Sequence, residues 1–431
     1  MRVAFLALGT RGDVAPLVGI ARHLCGVTPG CQIVFVTHAD LHDDSRDVCA
    51  GWEWGTVAST QCASNDKSAV RDQERESLVA ACERAVPLDG IVFNLFALEG
   101  LAIAESLGIN AVAVTTFWPP TPPAAMLPVR GLLQEIRDAM PDVAAELDKG
   151  AYQGANAVWC WADLEVWLWR VLLDDHGDWR ARRLGLAPSP FVATSNGRQV
   201  PACISPVRLL SLVSPLLLLP EELAAVPEGA HVHMTGSPSA PLDEMFDRVR
   251  DVYIGFGSIE GLGLLDLDIA VAFLAVLQRT AGSLLCHSTL ATGGVLSSAA
   301  AKLGVEFMNG VVNLDEVFST CTMVIHAGGA GTVAAAARLG IPQIIVPFHF
   351  DQHDWASRVV SLGIGSRLPP LEALLSRGSD QQVELMVGQA IAQARSLCGS
   401  ATLVTMARQL KDESQNAMDR IVHALSGQLQ Q

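Results

Sequence analysis

Cys321-Thr-Met-Val-Ile-His-Ala-Gly-Gly-Ala-Gly-Thr332, continuing through Val333 to Gly340, is the stretch on which the reading of the fold turns. Cys321 to Ile325 are apolar or small and read as a short buried strand. A glycine-rich turn follows, and the Ala-rich residues after it have strong helix propensity. A strand that feeds a glycine turn and then a helix start aims several backbone N–H groups, and the positive end of the helix dipole, at one point. That arrangement is an anion site, and phosphate is its usual occupant. His326 and Thr332 add side-chain donors. Taken alone, the same residues also suit a tight strand–helix turn in any α/β protein.

Working outward, the pattern repeats. Val3 to Leu8 is a fully apolar run, as expected of a central parallel strand covered on both faces. Gly9-Thr-Arg-Gly-Asp13 turns, Val14 to Leu24 reads as helix with Pro16 in its first turn, and Gln32 to Thr37 as the next strand. Helices are expected over 76–85 and 98–107, and strands over 90–94 and 111–115. Trp118-Pro-Pro-Thr-Pro-Pro123 then opens an irregular middle section, with helices expected over 131–140 and 163–183. Trp159, Trp161, Trp167, Trp169 and Trp179 there suit either a core or a pocket for a bulky apolar ligand.

Prolines punctuate Ser205 to Pro241, and alternation then resumes: strands over 251–255, 283–286, 305–308 and 343–346, and helices over 267–278, 352–362 and beyond Ser379. The tail carries an apolar helical stripe at Met406, Leu410, Met418, Ile421 and Leu425. The expected organisation is an N-terminal Rossmann-like domain over 1–220, a linker over 221–242 and a second Rossmann-like domain over 243–402. A C-terminal helix over 403–431 packs back on the first domain. Ligands of such sheets bind outside the carboxyl ends of the strands, so two facing domains make an interdomain cleft.

Composition narrows the function. Half of the 431 residues are hydrophobic and 17% are charged, which supports large cores and argues against disorder. The formal net charge of -16 makes nucleic acid and anionic membranes poor partners. A phosphate-bearing ligand must therefore be held by backbone N–H groups and a few local donors. The ten cysteines include no C-x-x-C pair and no metal-ligand spacing, so no metal site is expected and the compartment is reducing. No run approaches the length of a transmembrane helix, and Met1 to Leu8 is too short for a signal-peptide core. A soluble, cytoplasmic protein, monomeric or weakly dimeric, is expected.

Four stretches put polar residues at strand ends, where the cleft would lie. In Gly9–Asp13, Asp13 suits a general base or a helix N-cap, and the two roles are compatible. In Gly255-Phe-Gly-Ser258, the backbone and the Ser258 hydroxyl suit half of a phosphate cradle. His326–Thr332 is the third. In Pro347-Phe-His-Phe-Asp-Gln-His353, Asp351 and Gln352 suit neighbouring sugar hydroxyls, with N-capping by Asp351 as the plainer reading. Each follows a strand, so all four can face one cleft.

In order and spacing these motifs, with Trp355 after the last of them, resemble the family-1 sugar-nucleotide-dependent glycosyltransferases of GT-B fold. The resemblance is closer to the branch of bacterial natural-product and sterol glucosyltransferases than to the main plant branch. It implies an α/β protein of two facing Rossmann-like domains. It further implies that His326, Thr332 and the N–H groups of Gly329, Ala330 and Gly331 hold the donor diphosphate, with Ser258 touching it from the other loop. Val312 would lie near the donor base, Asp351 and Gln352 would bind the sugar, and Asp13 would be the catalytic base. Arg11, Phe117 and Trp118 fall where the acceptor pocket would be.

Departures from the plant branch are Val311-Val-Asn313 in place of a Trp-Pro-Gln stretch, Ala334 in place of a ribose-binding glutamate, and Asn94 in place of an aspartate behind the base. The alternative base, His23, sits too far along the helix. The implied activity is a metal-independent inverting transfer of a hexose from a UDP- or dTDP-sugar co-substrate, with no cofactor, to a hydroxyl or amine of a bulky apolar small molecule. A catalytically silent nucleotide-sugar-binding paralogue or partner subunit is the alternative. A hydride-transfer enzyme is the least expected reading, since no G-x-G-x-x-G with an acidic residue about 20 positions later appears.

Overall fold

The computed structural model describes residues 1–41, 51–57, 67–116, 176–186, 191–193, 199–201, 208–220, 232–234, 250–349, 351–376 and 380–429. Two parallel sheets organise them. The first has seven strands: β1 (Arg2–Leu6), β2 (Gln32–His38), β3 (Glu53–Val57), β4 (Gly90–Asn94), β5 (Asn110–Thr115), β8 (Arg208–Ser211) and β9 (Val232–Met234), in the order β3-β2-β1-β4-β5-β8-β9. Val3, Ala4, Phe5 and Leu6 are fully buried, as an apolar run covered on both faces should be. Helices α1 (Arg11–Val27), α2 (Lys67–Arg84) and α3 (Glu99–Leu107) supply the crossovers, and α4 (His176–Leu184) packs on α3. A short antiparallel pair, β6 (Phe191–Ala193) with β7 (Gln199–Pro201), stands apart.

The second sheet has six parallel strands: β10 (Arg250–Gly255), β11 (Leu284–Ser288), β12 (Glu306–Asn309), β13 (Cys321–His326), β14 (Gln343–Ile345) and β15 (Gly365–Arg367), in the order β12-β11-β10-β13-β14-β15. Around it lie α5 (Leu267–Thr280), α6 (Val295–Leu303), α7 (Leu314–Ser319), α8 (Ala330–Arg338), α9 (Gln352–Ser361), α10 (Leu371–Ser376) and α11 (Asp380–Leu397). Strand order reverses beside β1 in the first sheet and beside β10 in the second. The loops after β1, β10 and β13 therefore open at the crevices where doubly wound sheets bind ligands.

Several elements differ from expectation. Edge strand β3 alternates exposed and buried residues, so it carries no apolar run. Within the expected linker, Val232–Met234 pairs with β8 and extends the first sheet by a strand. The tail is two helices, α12 (Ala401–Gln415) and α13 (Ala417–Leu429), parted at Asn416. α12 packs on α8, whereas α13 packs on α1, β5 and β8, sending Ile421, Val422, Leu425 and Leu429 into the first sheet's core. Trp179 is buried in the core on the opposite face of that sheet. The other four tryptophans of the middle section lie outside the described residues. So do the helices expected over 131–140 and the greater part of 163–183.

Candidate functional site

The loop after β1 is built around Gly9. Its φ of +102° lies in the region glycine adopts freely, and its N–H donates to His38 Nε2 at 3.2 Å. An added Cβ would meet both Asp13 Oδ2 and the Phe96 ring at 2.9 Å. Asn94, at the end of β4, clasps the loop from beneath. Its Oδ1 accepts from Leu8 N–H at 3.2 Å, and its Nδ2 donates to the Leu8 carbonyl at 2.6 Å and the Asp13 carbonyl at 3.4 Å. Asn94 thus holds the backbone of Asp13 and leaves the carboxylate to other partners.

Thr10, not Asp13, is the N-cap of α1, and Asp13 is the third helical residue. Asp13 Oδ2 accepts from the Thr10 N–H and hydroxyl, both at 2.8 Å, closing the reciprocal half of a capping box. Oδ1 accepts from the Thr116 hydroxyl at 3.4 Å. Burial raises the Asp13 carboxyl above its ordinary range, and the bonds from Thr10 and Thr116 pull the other way. A carboxylate so placed is both fixed in position and more basic than an exposed one. Arg11 lies in the same first turn, partly exposed. Phe117 and Trp118 lie outside the described residues. His23 is bound to Asp419 Oδ1 at 2.6 Å, on the side of α1 that meets α13.

In the second domain, β10 runs into a short 3-10 turn (Gly257–Ile259) that leaves Ser258 partly exposed. After β13, His326 is buried at 1% exposure, and both of its ring nitrogens are engaged within the protein. Gly328 N–H donates to Nδ1 at 3.0 Å, so Nε2 carries the proton and donates to Gln343 Oε1 at 2.9 Å. Burial lowers the ring's pKa to about 4, with the Gln343 bond opposing, so His326 is neutral at pH 7. The expected side-chain donation from His326 to a diphosphate therefore has no free donor in this arrangement. The ring instead shapes the turn through Gly328. That glycine has φ +101°, and an added Cβ would lie 2.7 Å from Ile345 Cγ2.

Beyond it, Gly329 caps α8 and is exposed, as is Gly331. The first intrahelical bond is Val333 N–H to Gly329 O, at 3.0 Å. The N–H groups of Ala330, Gly331 and Thr332 precede it and point out of the helix end. Val312 is partly exposed in the loop before α7. His287 Nε2 anchors that loop at the Gly310 carbonyl (2.8 Å), and Asn313 caps α7.

After β14, Asp351 adopts a helical conformation and makes no capping bond, so the N-cap reading does not hold. Its Oδ2 accepts from Trp355 Nε1 at 2.8 Å. Gln352 turns its Oε1 to the Phe348 and His349 N–H groups, at 2.8 and 3.1 Å. Those two donors fix the amide's orientation and leave its NH₂ as the group to offer a ligand.

The two halves meet at a cavity of about 430 Å³. Gly12, Ala15, Pro16, Gly19 and Thr116 wall it on one side; Ala330, Gly331, Ala334, Arg338 and Trp355 wall it on the other. Leu212, Val213, Leu217 and Met418 make an apolar end. The Asp13 charge also reaches Asp351 across this cleft. Of the expected site residues among those described, only Ala330 and Gly331 line it. Asp13 stands behind Thr116 and Asp351 behind Trp355, each through a hydrogen bond. Arg11, Ser258, Val312, His326, Gly329, Thr332 and Gln352 are not in its wall. The roles of His38, Thr116 and Gln343 carried no local sequence signal, since each acts on a residue distant in the chain. Among the described residues no cluster of His, Cys, Asp and Glu is arranged to hold a metal, and no helix is long and apolar enough to cross a membrane.

Residues 303–413 match the family model of the erythromycin biosynthesis protein CIII-like C-terminal domain. The chain is 28% identical over 404 residues to a sterol 3-beta-glucosyltransferase of Pichia angusta, covering 86% of this chain and 30% of that protein. It is 26% identical over 423 residues to one of Arabidopsis thaliana, covering 90% of this chain and 63% of the relative. The chain thus spans between about a third and two thirds of the length of these relatives. Among solved structures it is similar to the glycotransferase of kitacinnamycin (TM-score 0.64, 15% identity, 99% of both chains). It is also similar to the calicheamicin glycosyltransferase CalG4 (TM-score 0.62, 16% identity, 100% of this chain and 98% of that one). At such identities the likeness shows the fold.

Proposed function

We propose that the chain is a family-1 glycosyltransferase of GT-B fold, an inverting transferase that moves a hexose such as glucose from a UDP- or dTDP-sugar to a bulky apolar acceptor. The matching C-terminal family model, the sterol glucosyltransferase relatives and the shared fold support this. The acceptor class is a sterol, terpenoid or polycyclic natural product bearing a hydroxyl or amine. The observation that carries the reading is the pair of walls of one cavity. A raised, tightly held carboxylate stands behind one wall, and an open helix N-terminus with a second carboxylate stands at the other.

In this reading Asp13 accepts the proton of the acceptor hydroxyl as its oxygen bonds to the anomeric carbon. The bond from that carbon to the diphosphate oxygen breaks on the opposite face. The N–H groups at the start of α8 meet the charge developing on the leaving group, where preorganised donors contribute most. Asp351 and the Gln352 amide hold the sugar. No step calls for a metal. Closure of the two walls excludes water and limits hydrolysis of the donor.

The test is incubation with UDP-glucose and dTDP-glucose against a panel of hydroxylated polycycles, read by mass spectrometry for the gain of one hexose. Nucleotide binding without transfer across the panel would favour the silent nucleotide-binding alternative.

A further inference from the structure

We infer that Trp355 and Arg358 are positioning residues for the carboxylate of Asp351, the Arg358 stack holding the indole so that its N–H fixes Asp351 Oδ2 at the cleft. The inference rests on the reading of Asp351 as a sugar ligand. Asp351, Trp355 and Arg358 stand at i, i+4 and i+7, so one face of α9 carries all three. Trp355 is among the largest fully buried side chains, and its only polar atom is the indole N–H. That N–H goes to Asp351 at 2.8 Å, and the Arg358 guanidinium lies 4.4 Å from the ring centroid. A cation over the indole face anchors the ring and draws on its electrons. Asp351 makes no side-chain capping bond, and the bond from Trp355, beside a weaker one from its own backbone N–H, orients its carboxylate.

The charges around Asp351 give this bond its use. Burial and the Asp13 charge from α1 favour the protonated acid, while the Trp355 bond and the Arg358 charge favour the carboxylate. His349 and His353 flank it on the same segment, and His353 faces Arg367 of β15. A protonated Asp351 would present one donor where two sugar hydroxyls need acceptors. Trp355 and Arg358 thus let carboxylates from two domains share one cleft.

The test is steady-state kinetics with the better of UDP-glucose and dTDP-glucose, on Trp355→Phe, Arg358→Met and Arg358→Lys. Trp355→Phe keeps the ring and removes the N–H. Donor KM should rise about tenfold, the size expected for losing a hydrogen bond to a charged group. The acid limb of kcat/KM should move to higher pH, while acceptor KM and calorimetric UDP affinity stay within about twofold. Arg358→Met should behave alike and Arg358→Lys should be milder. If Trp355→Phe does not fold, Arg358→Met carries the test. Loss of UDP affinity together with donor KM would make the pair packing residues and overturn the inference. Asp351→Asn separates the two readings. If it leaves donor KM unchanged, the sugar-ligand reading falls; if it raises donor KM while the other variants match wild type, the positioning inference falls.

Discussion

Asp13 and Asp351, 338 positions apart in the sequence, reach one cleft from opposite domains: burial first, with the Asp13 charge added, pushes the Asp351 carboxyl up to about 6. In the proposed mechanism both acids must be ionised, and the Asp13 charge opposes the ionisation of Asp351. Four expectations follow from this pair and from the turn that faces it.

Replacing Asp13 with Asn keeps one acceptor oxygen, enough for the Thr10 bonds, but turns an NH₂ to Thr116 and removes the base. Turnover should fall by a factor on the order of 10²–10⁴, the range of general base catalysis. Calorimetric binding of UDP or dTDP should be nearly intact. Undiminished turnover in this variant would end the assignment of Asp13.

The contribution of Asp351 to stability should have a pH dependence opposite to that of activity. Asp351 has a folded pKa raised to about 6, so between the ordinary carboxylate value and pH 6 the native state binds more protons than the unfolded chain. Stability contributed by this group therefore declines as pH rises through that window, and the penalty is constant above it. Asp351→Asn should gain on the order of 1–3 kcal/mol at pH 7.5 and little at pH 4. Transfer should instead weaken as pH falls through 6, since Asp351 takes up a proton there, and the raised Asp13 carboxyl adds a loss of the same sign. Melting curves and rate profiles on the same buffers check both signs.

His326→Ala should cost stability before anything else. It strands the Gly328 N–H and the Gln343 amide oxygen in the interior, on the order of 1–3 kcal/mol for each buried group left unpaired. Because the ring's pKa is lowered to about 4, its own contribution to stability falls as pH falls from about 6.5, where the unfolded chain takes up a proton first. This opposes the Asp351 contribution, and the difference between wild-type and His326→Ala melting curves isolates it. A melting temperature equal to that of the wild type would contradict this geometry.

Gly328 and Gly331, three residues apart, should respond oppositely to Ala. At Gly328 the positive φ and the contact with Ile345 force the turn to shift, so nucleotide affinity should drop at least about tenfold. At Gly331 an added Cβ meets nothing within 4 Å, inside a helix, so stability should hold or rise by roughly 1 kcal/mol. Calorimetry and thermal melting on the two variants separate the outcomes.

Much of the fold was legible because its signals are local. An apolar run such as Val3–Leu8, a glycine turn after it and a helical pattern beyond are each a statement about neighbours in the chain. The same holds for Cys321–Gly340. Elements lacking such a signal went unread: the edge strand Glu53–Val57, the strand Val232–Met234 within the expected linker, and the break at Asn416 that turns one helix into two.

The site divides along the same line. Its positions, each at the end of a strand, follow from sequence alone, and the motif order that pointed to the family is a property of the chain. How the side chains at those positions are held is decided by contacts in the folded chain, some with distant residues (Gln343, Thr116) and some within a turn (Gly328, Thr10, Trp355). Gln343 and Gly328 draw the His326 ring inward; Thr10 and Thr116 fix Asp13; Trp355 holds Asp351 Oδ2. Sequence determines which groups are available and that they sit at strand ends. The direction of a hydrogen bond, and the burial that moves a pKa, exist only once both sheets have closed around the same space.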